Sequence, residues 1–103
     1  MLTVIETPTY LRSIESIWSA DEAAEYVTFI SENPEAGDVM VGCKGLRKVR
    51  WKRGGSGKRG GVRAIYLLRT ERGEIRLLMA YTKAKFDTLP NEFLLKLKER
   101  YDV

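Results

Sequence analysis

Hydrophobic positions along the chain follow a helical period in the first part, a period of two in the middle and a helical period again at the end. Thr3, Val4 and Ile5 open with β-branched residues and predict a short first strand. Thr7-Pro8 then reads as a helix start, a cap residue with proline at the first helical position. Leu11, Ile14, Ile17 and Trp18 share one face of that helix. Ser19 and Glu22 have the spacing of a capping box and open a second helix, whose stripe of Ala23, Tyr26, Val27 and Ile30 runs to Asn33-Pro34. The two helices predict an acidic α-hairpin.

From Gly45 the alternation places Leu46, Lys48 and Arg50 on one strand face and Arg47, Val49 and Trp51 on the other, with Val49 and Trp51 directed to the core. Lys52 to Gly61 reads as a glycine-rich basic loop, and Val62 to Arg69 as a second strand. Thr70-Glu71-Arg72-Gly73 is its turn into a third strand, Glu74 to Thr82, with Ile75, Leu77, Met79, Tyr81 and then Lys83 on one face. Asp87 or Thr88, followed by Pro90, marks a last helix with Phe93, Leu94, Leu97 and Tyr101 as its apolar stripe. The expected architecture is α+β over a single domain, residues 1–103: a short N-terminal strand, an α-hairpin, a small antiparallel meander and a C-terminal helix.

Charge divides this order in two. Residues 1–42 carry one arginine and eight acids, whereas residues 43–103 carry seventeen basic and six acidic side chains, so the net +4 hides a −7 half and a +11 half. Between Lys44 and Arg63, nine of twenty residues are Lys or Arg and none is acidic. A solvated surface mixes both signs; an uninterrupted basic run points to a polyanion bound in a salt-dependent way.

The chain has no histidine and a single cysteine, Cys43, which reads as an inert small residue. The commonest general base and metal ligand is missing, so chemistry here falls to Lys, Arg, Tyr or carboxylates, and neither a metal nor a cofactor is expected. No apolar run is long enough to span a bilayer, and Met1 to Ile5 is neither basic nor long enough for a signal peptide. The expected setting is cytoplasmic, away from membranes.

Lys48 and Arg50 project side by side from one strand face, Arg63 lies near the start of the next strand, and Tyr81 and Lys83 lie at the end of the third, so these five side chains are expected to converge. Cations beside an aromatic ring suit RNA, where they stabilise charge on a phosphorane-like transition state and the ring stacks on a base. The runs Gly45-Leu46-Arg47-Lys48-Val49-Arg50-Trp51, Gly57-Lys58-Arg59-Gly60-Gly61-Val62-Arg63-Ala64-Ile65-Tyr66 and Leu77-Leu78-Met79-Ala80-Tyr81-Thr82-Lys83 resemble the HigB-like branch of the RelE/ParE toxin superfamily. The resemblance extends over essentially the whole chain.

It implies a RelE-like fold and the toxin of a type II toxin–antitoxin system: an mRNA interferase, metal-independent and ribosome-dependent, that cleaves mRNA in the 30S A site and is silenced by a HigA-like helix-turn-helix antitoxin. In that scheme the RNA 2′-hydroxyl attacks the adjacent phosphate. The resemblance implies Lys48 and Arg50 as the paired strand cations, one of them the general base, and Arg63 as a bidentate phosphate clamp. A guanidinium does not give up its proton in proteins, so an arginine at position 50, where some relatives carry lysine, is a poor base. Lys83, where the family often has arginine, is the acid or leaving-oxygen stabiliser, and Tyr81 or Phe86 stacks on a base. Arg47, Lys58, Arg59, Lys85 and Phe86 are the RNA-binding rim. The rivals are a ParE-like gyrase inhibitor, against which the cations at 48, 63 and 83 argue, and a non-catalytic nucleic-acid-binding module. Tyr66 and Trp51 are expected in the core, Tyr81 in either packing or stacking, Met40, Val41 and Met79 in packing, and Arg69, Arg72 and Arg76 in solvent.

Overall fold

The computed structural model describes residues 2–51, 61–83, 85–86 and 88–102. The basic loop expected over Lys52 to Gly61, with Lys58 and Arg59, and the Asp87 helix start lie outside the described residues, apart from Gly61 itself.

Strand β1 (Thr3–Glu6) leads into helices α1 (Pro8–Ile14) and α2 (Ala20–Glu32), then strands β2 (Asp38–Val39), β3 (Leu46–Trp51), β4 (Val62–Arg69) and β5 (Glu74–Thr82), and helix α3 (Asn91–Tyr101). The five strands form one sheet in the order β1-β5-β4-β3-β2. β1 runs parallel to β5, and every other neighbouring pair is antiparallel. The expected meander is present, extended on one side by β1 and on the other by the unforeseen β2.

Both early helices start where their caps direct. The Tyr10 backbone N–H donates to the Thr7 hydroxyl, with Pro8 at the first helical position. At α2, Ser19 and Glu22 exchange both bonds of the capping box, at 3.2 and 2.7 Å. The first helix is shorter than its apolar stripe implied. It ends at Ile14, and Tyr10 turns inward where Leu11 was expected, leaving Leu11 46% exposed. At the other end, α3 starts at Asn91 with Pro90 as a cap lacking a side-chain bond. Its stripe is narrower than expected, because Leu94 and Leu97 are buried while Phe93 faces solvent.

The sheet separates two cores. One face carries Val49, Val62, Ala64, Tyr66, Ile75 and Leu77 against Tyr10, Ile14, Trp18, Tyr26 and Ile30 of the helical layer. On the opposite face, Leu46, Ile65, Leu67, Leu78 and Tyr81 pack with Cys43 beneath Leu94 and Leu97 of α3. Trp51 and Tyr66 join the first core as expected, and Met40 and Met79 border the second. Val41 is instead 91% exposed.

The expected single face of β5 is interrupted by a bulge. Ile65 pairs with Met79 but Tyr66 pairs with Leu77, so Leu78 is the extra residue and the facing parity changes there. Ile75 and Leu77 join the first core and Tyr81 the second. Arg69 and Arg76, expected in solvent, are ion-paired: Arg69 with Glu71 and Asp102, and Arg76 with Glu74, while its guanidinium also donates to the Tyr101 carbonyl. Lys98 adds a second cation to Asp102, so the end of α3 is tied to the β4–β5 hairpin.

The tyrosines give the fold a pH signature. Burial raises the phenol pKa of Tyr10, Tyr26, Tyr66 and Tyr81 above the ordinary value of 10.0. Tyr101 moves the other way, because its hydrogen bonds with Thr9 favour the charged form. A raised folded-state pKa leaves the stabilisation complete below the unfolded value of about 10 and removes it as pH rises beyond. In a spectrophotometric alkaline titration, Tyr101 should ionise first, and the other four tyrosines together with cooperative unfolding. Five independent, reversible ionisations near the ordinary value would contradict this packing.

Candidate functional site: a cationic cleft beside the β3–β4 pair

The alternation of β3 and the register of the sheet decide which cations meet. Arg50 lies directly opposite Arg63, and Arg63 directly opposite Tyr81, so these three residues form one row across β3, β4 and β5. Directly opposed residues of antiparallel strands point to the same face. The bulge at Leu78 is what brings Tyr81 into this row. Without it, Tyr81 would share the side of Leu77 and point at the helices. Two pairs further along, on the same face, Lys48 lies opposite Ile65 on β4 and Asp38 on β2.

Lys48, Arg50, Arg63 and Lys83 line an open cleft of about 650 Å³, whose remaining walls are Ala36, Asp38 and Val49. That volume lies within the roughly 300–1,000 Å³ of small-ligand sites. Arg63 is the most constrained of the four cations, at 9% exposure the one charged side chain among the described residues that is buried. Like charges directly opposed across a strand pair repel, and a buried cation without a counter-charge is costly. Among the described residues, no carboxylate forms an ion pair with Lys48, Arg50, Arg63 or Lys83. The cleft therefore holds concentrated positive charge and a single acidic wall residue, Asp38, which suits a phosphate.

Tyr81 sits behind this charge. It is 2% exposed, burial raises its phenol pKa, and the Arg63 guanidinium partly opposes that rise. Its ring meets Phe86 edge-on, with centroids 6.2 Å apart. The ring so enclosed has no face free to stack on a base. Phe86, 37% exposed with the Lys85 ammonium 5.7 Å from its centroid, presents the accessible ring. A smaller hollow of about 210 Å³ adjoins it, between Ser13 and Ile17 on one side and Met79, Tyr81 and Phe86 on the other.

The structure thus gathers Lys48, Arg50, Arg63 and Lys83 in one cleft, with Tyr81 beneath and Lys85 and Phe86 at its side. Arg47 does not join them. It projects to the opposite face of β3, where its guanidinium donates to the Gly37 carbonyl at 2.8 Å and, at 3.5 Å, to that of Glu35. Lys58 and Arg59 lie outside the described residues. Sequence reasoning overlooked Ala36 and Asp38, the wall supplied by β2 and the turn before it. The β-prone run Val39-Met40-Val41 just after Gly37 was the available signal.

No protein-family model matches the chain. Among solved structures it is similar to a double mutant of the E. coli toxin RelE in the free state, at TM-score 0.60 and 13% identity over 84% of this chain and 87% of that one. It is similar also to a chain of the intact E. coli RelBE toxin–antitoxin complex, at TM-score 0.58 and 14% identity over 78% of this chain and 94% of that one. The fold is RelE-like, in the α+β order expected from the sequence.

Proposed function

We propose that this protein is the toxin of a type II toxin–antitoxin pair, an endoribonuclease that cuts mRNA on the ribosome and so stops translation in the cytoplasm. The observation that carries the reading is the opposed pair Arg50 and Arg63, held with Lys48 and Lys83 around one cleft on a RelE-like fold. The nucleophile is the RNA's own 2′-hydroxyl, and the proton transfers are assigned to side chains of this chain. The 2′-hydroxyl of the RNA loses its proton to a base and attacks the adjacent phosphorus. The bond to the 5′-oxygen of the next nucleotide breaks, leaving a 2′,3′-cyclic phosphate, and the departing oxygen takes up a proton.

Arg63 is assigned to the phosphate, where two parallel N–H donors match two non-bridging oxygens. Arg50 adds charge stabilisation from the opposite strand. Lys48 is the base, because of the two strand cations only the lysine can shed its proton, and Lys83 protonates the leaving oxygen. Phe86 takes over base stacking from the enclosed Tyr81, and Lys85, Lys58 and Arg59 hold RNA backbone. The HigB-like branch, a HigA-like helix-turn-helix antitoxin and binding in the 30S A site belong to the same proposal. The antitoxin neutralises by placing an acidic or helical segment on the cationic cleft, or else by binding elsewhere and blocking entry into the ribosome.

Primer extension on mRNA in a reconstituted translation system tests this reading. Codon-spaced cuts that require ribosomes are the expected result. Intact mRNA together with blocked DNA supercoiling would instead identify a gyrase inhibitor, and intact mRNA with binding alone a non-catalytic module.

A further inference from the structure

The face of the sheet opposite the cleft carries a second feature of contrary charge. An open groove of about 480 Å³ runs along α2, walled by Phe29 and Trp51, whose ring centroids lie 4.4 Å apart, and edged by Asp21, Glu25, Thr28 and Glu32. Those four edge residues recur at helical spacing, so they form one stripe of about 16 Å along the helix axis. Trp51 is only half-buried although its ring also meets Tyr26 edge-on.

Among the described residues, none offsets this charge. α2 contains no Lys or Arg. Among the described residues, none of Asp21, Glu25 and Glu32 forms an ion pair. Asp21 suits the N-terminal end of the helix dipole, but Glu32 occupies the last turn, where a carboxylate opposes it, and Asp21 and Glu25 repel one another one turn apart. In a protein of net +4, an acidic stripe beside an aromatic wall is complementary to a cation with a flat, weakly hydrated face. A guanidinium both stacks on an indole and pairs with a carboxylate. A nucleic acid would meet three carboxylates here and is repelled.

We propose that the groove between α2 and Trp51 docks an arginine-bearing helical segment of a protein partner, on the sheet face opposite the cationic cleft, so that both surfaces can be occupied at once. Arginines one and then two turns apart on that segment match the spacing of Asp21, Glu25 and Glu32, and one of them lies over Trp51. The proposal goes beyond the nuclease reading and does not need it: Trp51 and Arg50 are neighbours in sequence, but β3 sends them to opposite sides.

The test is a nuclear magnetic resonance titration of the full chain with an alanine-based helical peptide carrying arginine at every fourth position. A peptide with glutamate at those positions serves as control. Shifts confined to Asp21, Glu25, Thr28, Phe29, Glu32 and the Trp51 indole, and persisting with a short single-stranded RNA in the cleft, are the expected result. The exposed pair Glu25→Lys and Glu32→Lys should weaken peptide binding at least about tenfold with the spectrum of the folded protein retained, since two attractions become repulsions. Shifts elsewhere, equal binding by the double variant, or displacement of the peptide by RNA would overturn the proposal. The same residues shifting on concentration of the protein alone would assign the groove to a second copy of this chain and overturn it equally.

Discussion

Arg63→Ala is expected to abolish growth arrest on expression and to slow ribosome-dependent cleavage by about 10²–10³-fold, the usual loss when one pre-organised charge donor is removed from a developing oxyanion. The melting temperature should hold or rise slightly, for reasons that follow from the site. Arg63 forms no ion pair among the described residues, and it faces Arg50 directly across the β3–β4 ladder. Its removal relieves a repulsion and leaves no carboxylate behind unpaired. The gap opens into the cleft and not into either core, so the cavity penalty of a closed interior is small. Arg63→Lys separates charge from geometry: the positive charge remains, the two-pronged donor is lost, and activity should fall between wild type and alanine. Undiminished toxicity of a folded Arg63→Ala protein would remove Arg63 from the phosphate and leave the clamp without a candidate.

Where a fold signal is local, the sequence carried it. Thr7-Pro8, the Ser19–Glu22 box and the limits of β4 and β5 depend on neighbours within a few positions, and each is legible in the sequence alone. β2 escaped because it is two residues long with both side chains exposed, leaving no alternation to read. The bulge at Leu78 escaped because a run of apolar residues fits either parity; only the packing of Tyr81 beneath α3, against Leu77 beneath α1 and α2, selects the register. Arg69 and Arg76 were misread for a similar reason. Their partners Asp102 and Tyr101 lie across the fold at the end of α3, beyond any window on the hairpin.

The placement of the cations in the candidate site was legible in part. Alternation alone puts Lys48 with Arg50, and pairing of β3 with β4 then brings Arg63 beside them, whereas Tyr81 joins the row only through the bulge at Leu78. What alternation cannot supply is depth. Tyr81 and Arg63 look equally polar on paper, yet one is enclosed under α3 and the other holds its charge at the cleft wall. Arg47 belongs to the same basic run as Lys48, but its carbonyl acceptors on Glu35 and Gly37 give it a structural partner that composition could not reveal.

That partner segment supports the second large effect. Gly37→Ala should destabilise the protein by about 1–3 kcal/mol, the cost of inserting a methyl into a packed site, and should weaken RNA binding in the cleft. A Cβ at position 37 would lie 2.9 Å from Cε1 of Tyr66 and 3.0 Å from the backbone carbon and oxygen of Lys48. The ladder cannot move aside cheaply, so the segment must. Tyr66 is fully buried; its hydroxyl donates to the Pro34 carbonyl at 2.7 Å and accepts from the Gly37 N–H at 2.9 Å. Lifting residue 37 breaks these bonds and the 2.8 Å bond from Arg47, and draws Ala36 and Asp38 away from the cleft wall. Tyr66→Phe should cost about 1–3 kcal/mol by a narrower route, leaving the buried Gly37 N–H without its acceptor. If Tyr66 and Gly37 hold the segment as one unit, the double variant will cost less than the two single variants together by about 0.5 kcal/mol or more in urea unfolding. Strict additivity would mean that the methyl and the hydroxyl act on separate parts of the fold, and that the wall of the cleft does not depend on this contact.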